Sequence, residues 1–260
     1  EFVGSSDVYK RQEQLLDTIE DKEDLANVVD VSYMYLDMGY PDKALAWLNP
    51  VKEEYADEEA YIAVVADCYY GKGMIEEAIP LYNQLIDQNP YSAPYWFGLA
   101  RCHFEDLNFD QAIDACDYAL IGDDEFADAY VMKGHCFYQL GNEDAALECY
   151  QKAEQMHGLA PEFVYTYIGL CKVSKGEWEE GYENLEKAIQ ANEAEETPAP
   201  TLPSLYANAG LCLSKMKKKR KAHQYCKKAQ KLEPKDPEAY LIEGRMYVEE
   251  GDYEKGIKQW

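Results

Sequence analysis

An all-α solenoid of stacked antiparallel helix pairs is the fold class predicted by three features of the sequence. The chain is self-similar with a period near 34 residues, the spacing of stacked helical hairpins. Small residues recur at two fixed places within that period. No strand-like alternation of apolar and polar residues persists anywhere. The period emerges when YWFGLARCHFEDLNFDQAIDACDYAL (95–120) is laid against YVMKGHCFYQLGNEDAALECYQKAEQ (130–155). Ala100 then falls on Gly134, Ala112 on Ala146 and Ala119 on Ala153.

The register places repeats at 25, 59, 93, 127, 162, 203 and 237, the last truncated, so that residues 25–260 form the array. Position 8 of each repeat is Ser32, Ala66, Ala100, Gly134, Gly169, Gly210 and Gly244. Position 20 is Ala44, Ala78, Ala112, Ala146, Gly181, Ala222 and Gly256. Two helices that cross closely need small residues there, because longer side chains would push the axes apart. Bulky side chains at positions 4 and 24, such as Trp96, Tyr130, Tyr82 and Tyr150, fill the space left. The expected layout is a first helix over about positions 1–14 and a second over about 17–30 of each repeat. Between them Gly39, Gly73, Gly141, Gly176 and Gly251 occupy position 15, where a left-handed residue ends a helix.

The pattern resembles the tetratricopeptide repeat (TPR) family, whose motif runs W-x2-L-G-x2-Y, then A-x3-F, A and P. The repeat at 93 supplies Trp96, Leu99, Ala100, Ala112 and Ala119; the repeat at 203 supplies Tyr206, Gly210, Ala222, Ala229 and Pro234. The first repeat departs most, with Ser32 at position 8 and Pro41 in its turn. Seven extra residues separate the fifth and sixth repeats, around ANEAEETPAP (191–200), a composition suited to an exposed loop. The resemblance implies a right-handed superhelix whose first helices line a concave groove through positions 2, 5, 9, 12 and 13. The residues it points to are Tyr33, Tyr70, Phe97, Arg101, Phe104, His135, Tyr138 and Leu170. Aromatic and arginine side chains of this kind dominate interface energies, although the same positions could pack on a neighbouring helix. Family members that grip acidic chaperone tails carry Lys at position 5 and Asn at position 9, and no repeat here has either. The expected ligand is therefore a protein or peptide segment with apolar anchors rather than a purely acidic one.

Charge and reactive residues narrow the function classes. With 25 basic and 50 acidic residues the chain carries −25, which disfavours general nucleic-acid binding. The run KMKKKRKAHQYCKKAQK (215–231) holds nine basic residues and no acid; without it 16 basic residues face 50 acidic ones, a charge of −34. Lys217, Lys218, Lys219, Arg220 and Lys221 form its densest part. This run is either a solvated face complementing neighbouring acidic repeats or a local site for an acidic protein or nucleic acid. Five of the eight cysteines, Cys68, Cys102, Cys136, Cys171 and Cys212, share position 10, where they read as small buried hydrophobes. Equivalent positions on stacked helices lie too far apart for disulfides, so a reducing, cytoplasmic setting is expected. His103 falls at a core position and His157 ends a second helix; His223 and Cys226 have metal-ligand spacing without a third ligand. No catalytic, phosphate-binding or dinucleotide-binding motif is present. No enzyme activity, cofactor, metal or membrane insertion is expected, and homo-oligomerisation stays open.

The ends carry separate expectations. EFVGSSDVYKRQ (1–12) has no repeat feature, and DVYKRQ resembles the translation of a transposase adapter end. It is read as a non-native scar. Residues 13–24 read as the remnant of an upstream second helix, with Leu16 and Ile19 buried, and Trp260 falls inside a second helix. The chain is thus read as an internal slice of a longer array, bacterial in the style of its repeats. The expected function is a non-enzymatic interaction scaffold. Its rivals are a docking or sensing segment of a larger enzyme or signalling protein, and an envelope assembly factor lacking its export signal.

Overall fold

The computed structural model describes residues 24–156, 161–194 and 200–259. The expectations for residues 1–23, for His157, for most of the 195–200 part of the insertion and for Trp260 lie outside them. The chain divides into two compact units, one ending at Ala129 and one beginning at Tyr130. Among the described residues all regular structure is helical.

In the first unit α1 (Leu25–Asp37) packs on α2 (Pro41–Leu48), α4 (Glu59–Gly71) on α5 (Ile75–Gln88), and α6 (Ala93–Glu105) on α7 (Phe109–Gly122). The Asp24 side chain caps α1 by accepting from the Asn27 amide at 3.1 Å. The second helix of the first repeat is interrupted. A 3-10 turn (Asn49–Val51) and a short α3 (Lys52–Tyr55) follow α2, because Pro50 has no N–H to continue the ladder. Position 50 thus shortens a helix expected to run on to about residue 54.

The division falls within α8 (Ala127–Gln139), which leads to α9 (Glu143–Glu154) in the second unit. There α10 (Pro161–Ser174) packs on α11 (Trp178–Ala194), α12 (Leu202–Lys215) on α13 (Lys219–Leu232), and α14 (Pro237–Glu249) on α15 (Tyr253–Lys258). Leu185, Ile189, Leu205, Tyr206, Leu213 and Cys226 belong to one buried cluster there. Glu243 is a fully buried carboxylate on α14. It is satisfied from α13, where His223 Nδ1 lies at 3.0 Å and Gln230 Nε2 donates at 2.7 Å.

The close crossing inside each pair has the cause read from the sequence. Ser32, Ala44, Ala66, Ala78, Ala100, Ala112, Ala146 and Ala222 are completely buried. A Cβ added at Gly134 would stand 2.5 Å from the Tyr150 ring, and one at Gly169 2.8 Å from Leu185. Position 24 therefore fills what position 8 vacates. Every first helix also ends in the same way. The position 15 residue has positive φ in all seven repeats, including the two without glycine, Leu107 (60°) and Lys217 (62°). Its amide donates to the carbonyl three residues back and the next amide to the carbonyl five back, as in Leu107 to Phe104 (2.9 Å) and Asn108 to His103 (2.8 Å). These are the two bonds of a Schellman cap. All eight cysteines are buried and free, and burial pushes the position 10 thiols up to about 12.

Candidate functional site

Position 9 lies on the first helix of each repeat, so consecutive repeats bring their position 9 side chains side by side. In the first unit this column is Tyr33, Asp67 and Arg101, and it forms one network. Arg101 Nη2 meets Asp67 Oδ1 at 2.6 Å. The Tyr82 hydroxyl donates to the same oxygen at 2.7 Å, and Tyr33 donates to Oδ2 at 3.3 Å. Arg101 Nη2 also donates to Tyr82 Oη at 3.2 Å. One carboxylate on α4 thus receives donors from α1, α5 and α6. The Arg101 and Asp67 side chains are 28% and 27% exposed, so the charges are screened less than on an open surface and each depends on the other. Burial and the adjacent carboxylate hold the Tyr33 and Tyr82 phenols above their ordinary range.

Aromatic faces enclose the arginine. Its guanidinium carbon lies 4.4 Å from the Tyr70 ring centroid and 5.6 Å from that of Phe97, distances that suit cation–π attraction. Phe97 meets Phe126 edge-on at 5.3 Å, and Phe104 meets Phe109 at 5.5 Å. The structure thus brings four of the expected residues into one cluster, Tyr33 and Arg101 on Asp67, and Tyr70 and Phe97 on Arg101. Asp67 and Tyr82 are essential to this network, and the sequence reading did not select them as site residues. The signal for Asp67 was an acid lying between Tyr33 and Arg101 in one column.

In the second unit His135 shares Nδ1 with the Tyr150 hydroxyl at 2.8 Å. Its ring meets Tyr167 at 4.3 Å, and Tyr150 stacks on Tyr167 at 5.4 Å. Burial lowers the His135 pKa to about 4, so the ring is neutral at pH 7 and the cluster carries no net charge. The Tyr138 hydroxyl lies 3.4 Å from Ser174 Oγ. Leu170 packs, partly buried, on the apolar core of its unit. Of the eight expected residues only Tyr33, at 36%, reaches the exposed range; the others are half-buried.

The basic run splits into a paired and an open set. Lys221 approaches Glu186 at 3.9 Å and bonds the Tyr182 hydroxyl, while Lys228 meets Glu193 at 3.2 Å and Tyr206 at 3.0 Å. Lys219 lies 3.6 Å from Glu250, and Lys215 4.0 Å from Glu249. Lys217, Lys218, Arg220, Lys227 and Lys231 are exposed, with no ion pair to any described residue. Among the described residues no cluster of His, Cys, Asp or Glu could hold a metal ion. None of the described helices is long and apolar enough to cross a membrane.

Comparison with known proteins places these features. Residues 71–153 match the family model for anaphase-promoting complex, cyclosome, subunit 3, and residues 203–236 match the tetratricopeptide repeat model. A search of the curated proteins gives no match. Among solved structures, the anaphase-promoting complex hetero-tetramer Cut9–Hcn1 superposes with a TM-score of 0.70 at 16% identity. That match covers 100% of this chain and 56% of the other, so the chain spans little more than half of that relative. A tetratricopeptide repeat protein from Parabacteroides merdae gives 0.64 at 16% identity, covering 90% of each chain. YrrB, described as a TPR protein with an unusual peptide-binding site, gives 0.58 at 18% identity, covering 74% of this chain and 95% of its own. At these identities the likenesses show a shared fold.

Proposed function

Because the chain belongs to the tetratricopeptide repeat family, we propose that it is a non-enzymatic scaffold that holds a protein or peptide segment in a groove lined by its first helices. The observation that carries this reading is the cluster in which Tyr33 and Arg101 meet Asp67 while Tyr70 and Phe97 flank Arg101. Internal hydrogen bonds and stacking hold these amphipathic side chains in place while leaving part of each accessible. A ligand therefore meets side chains whose ordering entropy is already spent. The neutral cluster of His135, Tyr150 and Tyr167 offers the second unit an aromatic surface of different character. Both favour a segment with apolar anchors over a purely acidic one, because the one groove cation of this set already has its carboxylate. The free, buried thiols support a reducing, cytoplasmic setting.

The test is a Phe97→Ala, Phe104→Ala, Tyr138→Ala variant used as bait beside the unaltered chain in lysate of the source organism. Partners should be lost by the variant while its circular dichroism stays helical. Unchanged recovery by a folded variant would refute the groove assignment.

A further inference from the structure

The outward face of the second helix in repeat six differs from that face elsewhere in its unit. Position 18 is Asp144 in repeat four, Glu179 in repeat five and Glu254 in repeat seven, but Arg220 in repeat six. Position 22 is Glu148, then Glu183, then Gln224, and in repeat seven Lys258, which pairs with Glu254 at 2.9 Å; position 25 is Gln151, then Glu186, then Lys227. On α13 the residues Arg220, Gln224, Lys227 and Lys231 follow one another at intervals of four, three and four. That spacing sets them in one stripe, and all four are exposed. Lys217 and Lys218 extend the stripe just before the helix begins. The cations on either side of it are engaged. Lys221 and Lys228 face Glu186 and Glu193 of α11, and Lys219 faces Glu250, just past the end of α14. The neighbouring acidic helices therefore neutralise the flanks of α13 and leave its crest positive.

We propose that this crest binds a short acidic polypeptide segment. The occupant follows from charge and from length. Arg220 to Lys231 spans about 16 Å of helix at 1.5 Å per residue, which matches about five residues of extended chain. A segment of that size can place its carboxylates on the free cations and stop there. A nucleic acid carries charge continuously along its length, so it would run on over the exposed Glu179, Glu183 and Glu254 of the adjacent helices. A flat anionic membrane would meet those same acids. The short acidic segment is the anion that uses the crest without paying that repulsion. This surface is separate from the groove proposed above, and either assignment can fail without the other.

The experiment is fluorescence anisotropy on the whole chain with a labelled octaglutamate peptide. Octaglutamine, a single-stranded oligonucleotide and anionic vesicles serve as comparison probes. Octaglutamate should bind, weaken steeply as salt rises, and lose at least tenfold in affinity in an Arg220→Glu, Lys227→Glu, Lys231→Glu variant. The milder pair Arg220→Gln and Lys227→Gln should lose several-fold and serves if the reversal variant misfolds. The groove variant should bind octaglutamate normally. No octaglutamate binding at low salt, or equal binding by the folded crest variants, overturns the proposal. So does an oligonucleotide or vesicle that binds more tightly than octaglutamate and depends on the same cations.

Discussion

Tyr82 and Tyr150 hold the same place, position 24 of repeats two and four, and are accommodated in different ways. Beneath Tyr82 the missing Cβ belongs to Gly98, in the first helix of the next repeat. Beneath Tyr150 it belongs to Gly134, in the first helix of its own repeat. Each hydroxyl is bonded by the position 9 residue fifteen places earlier, a carboxylate for Tyr82 and an imidazole for Tyr150. The carboxylate recruits Arg101 and Tyr33 from the adjoining repeats. The half-buried imidazole, neutral at pH 7, gathers a second ring from Tyr167. One packing problem, a large ring at a close helix crossing, thus has a charged and an uncharged solution in one chain. What must be conserved between the two is a void and a hydrogen-bond partner, and neither has to come from a fixed residue.

The largest expected effect comes from filling the voids. Gly98→Ala and Gly134→Ala should each cost about 1–3 kcal/mol in urea denaturation, the range for overpacked sites. Both rings are pinned by their hydroxyls and cannot step aside. Adding Tyr82→Leu to the first variant should recover part of the loss; full additivity would mean that the ring is not the obstacle.

Next comes the charge itself. Asp67→Ala should cost about 2 kcal/mol, because it strands a largely buried guanidinium. Tyr150→Phe removes one neutral hydrogen bond and should cost about 1 kcal/mol. Equal losses in thermal denaturation would erase the distinction between the two solutions.

The third test is pH. His135 has a folded pKa of about 4 against an ordinary value of 6.5, so the unfolded chain takes up the proton first. Its contribution to stability is complete above pH 6.5 and declines as the pH falls towards 4. His135→Gln should flatten that part of the urea midpoint against pH while leaving the Tyr150 contact available.

The smallest effect concerns the caps. Leu107→Gly and Lys217→Gly should each raise stability by up to about 1 kcal/mol, since a left-handed conformation is costly for residues with a Cβ. Gly73→Ala should lose a similar amount. Differential scanning calorimetry on the three variants checks the sign.

The helix pairs were legible because their determinants repeat. Ala100 or Gly134 alone says little, but small residues at one register in every repeat fix which faces meet. The caps at Leu107 and Lys217 were not read from the sequence, which singled out only the five glycines at position 15, because side-chain chemistry argues against a left-handed residue there. The network around Asp67 was harder to see. Its partners lie 34 and 15 residues away, and only the assembled column shows that Arg101 is committed to a carboxylate. The basic run posed the same difficulty. Its composition announces a cluster of cations, but which lysines are spoken for depends on Glu186 and Glu193 of one neighbouring helix and on Glu250 at the end of another. The break at Pro50 was available in the sequence and was overridden by the strength of the repeat.

The column of cysteines has a use in the laboratory. Repeats two to six each carry one thiol at position 10, at zero exposure and with its pKa pushed up to about 12. Such a group meets an alkylating reagent only when its own helix pair opens. Pulsed alkylation followed by peptide mass spectrometry would therefore report five local opening free energies from the unmutated protein, a stability profile written along the chain at one reading per repeat.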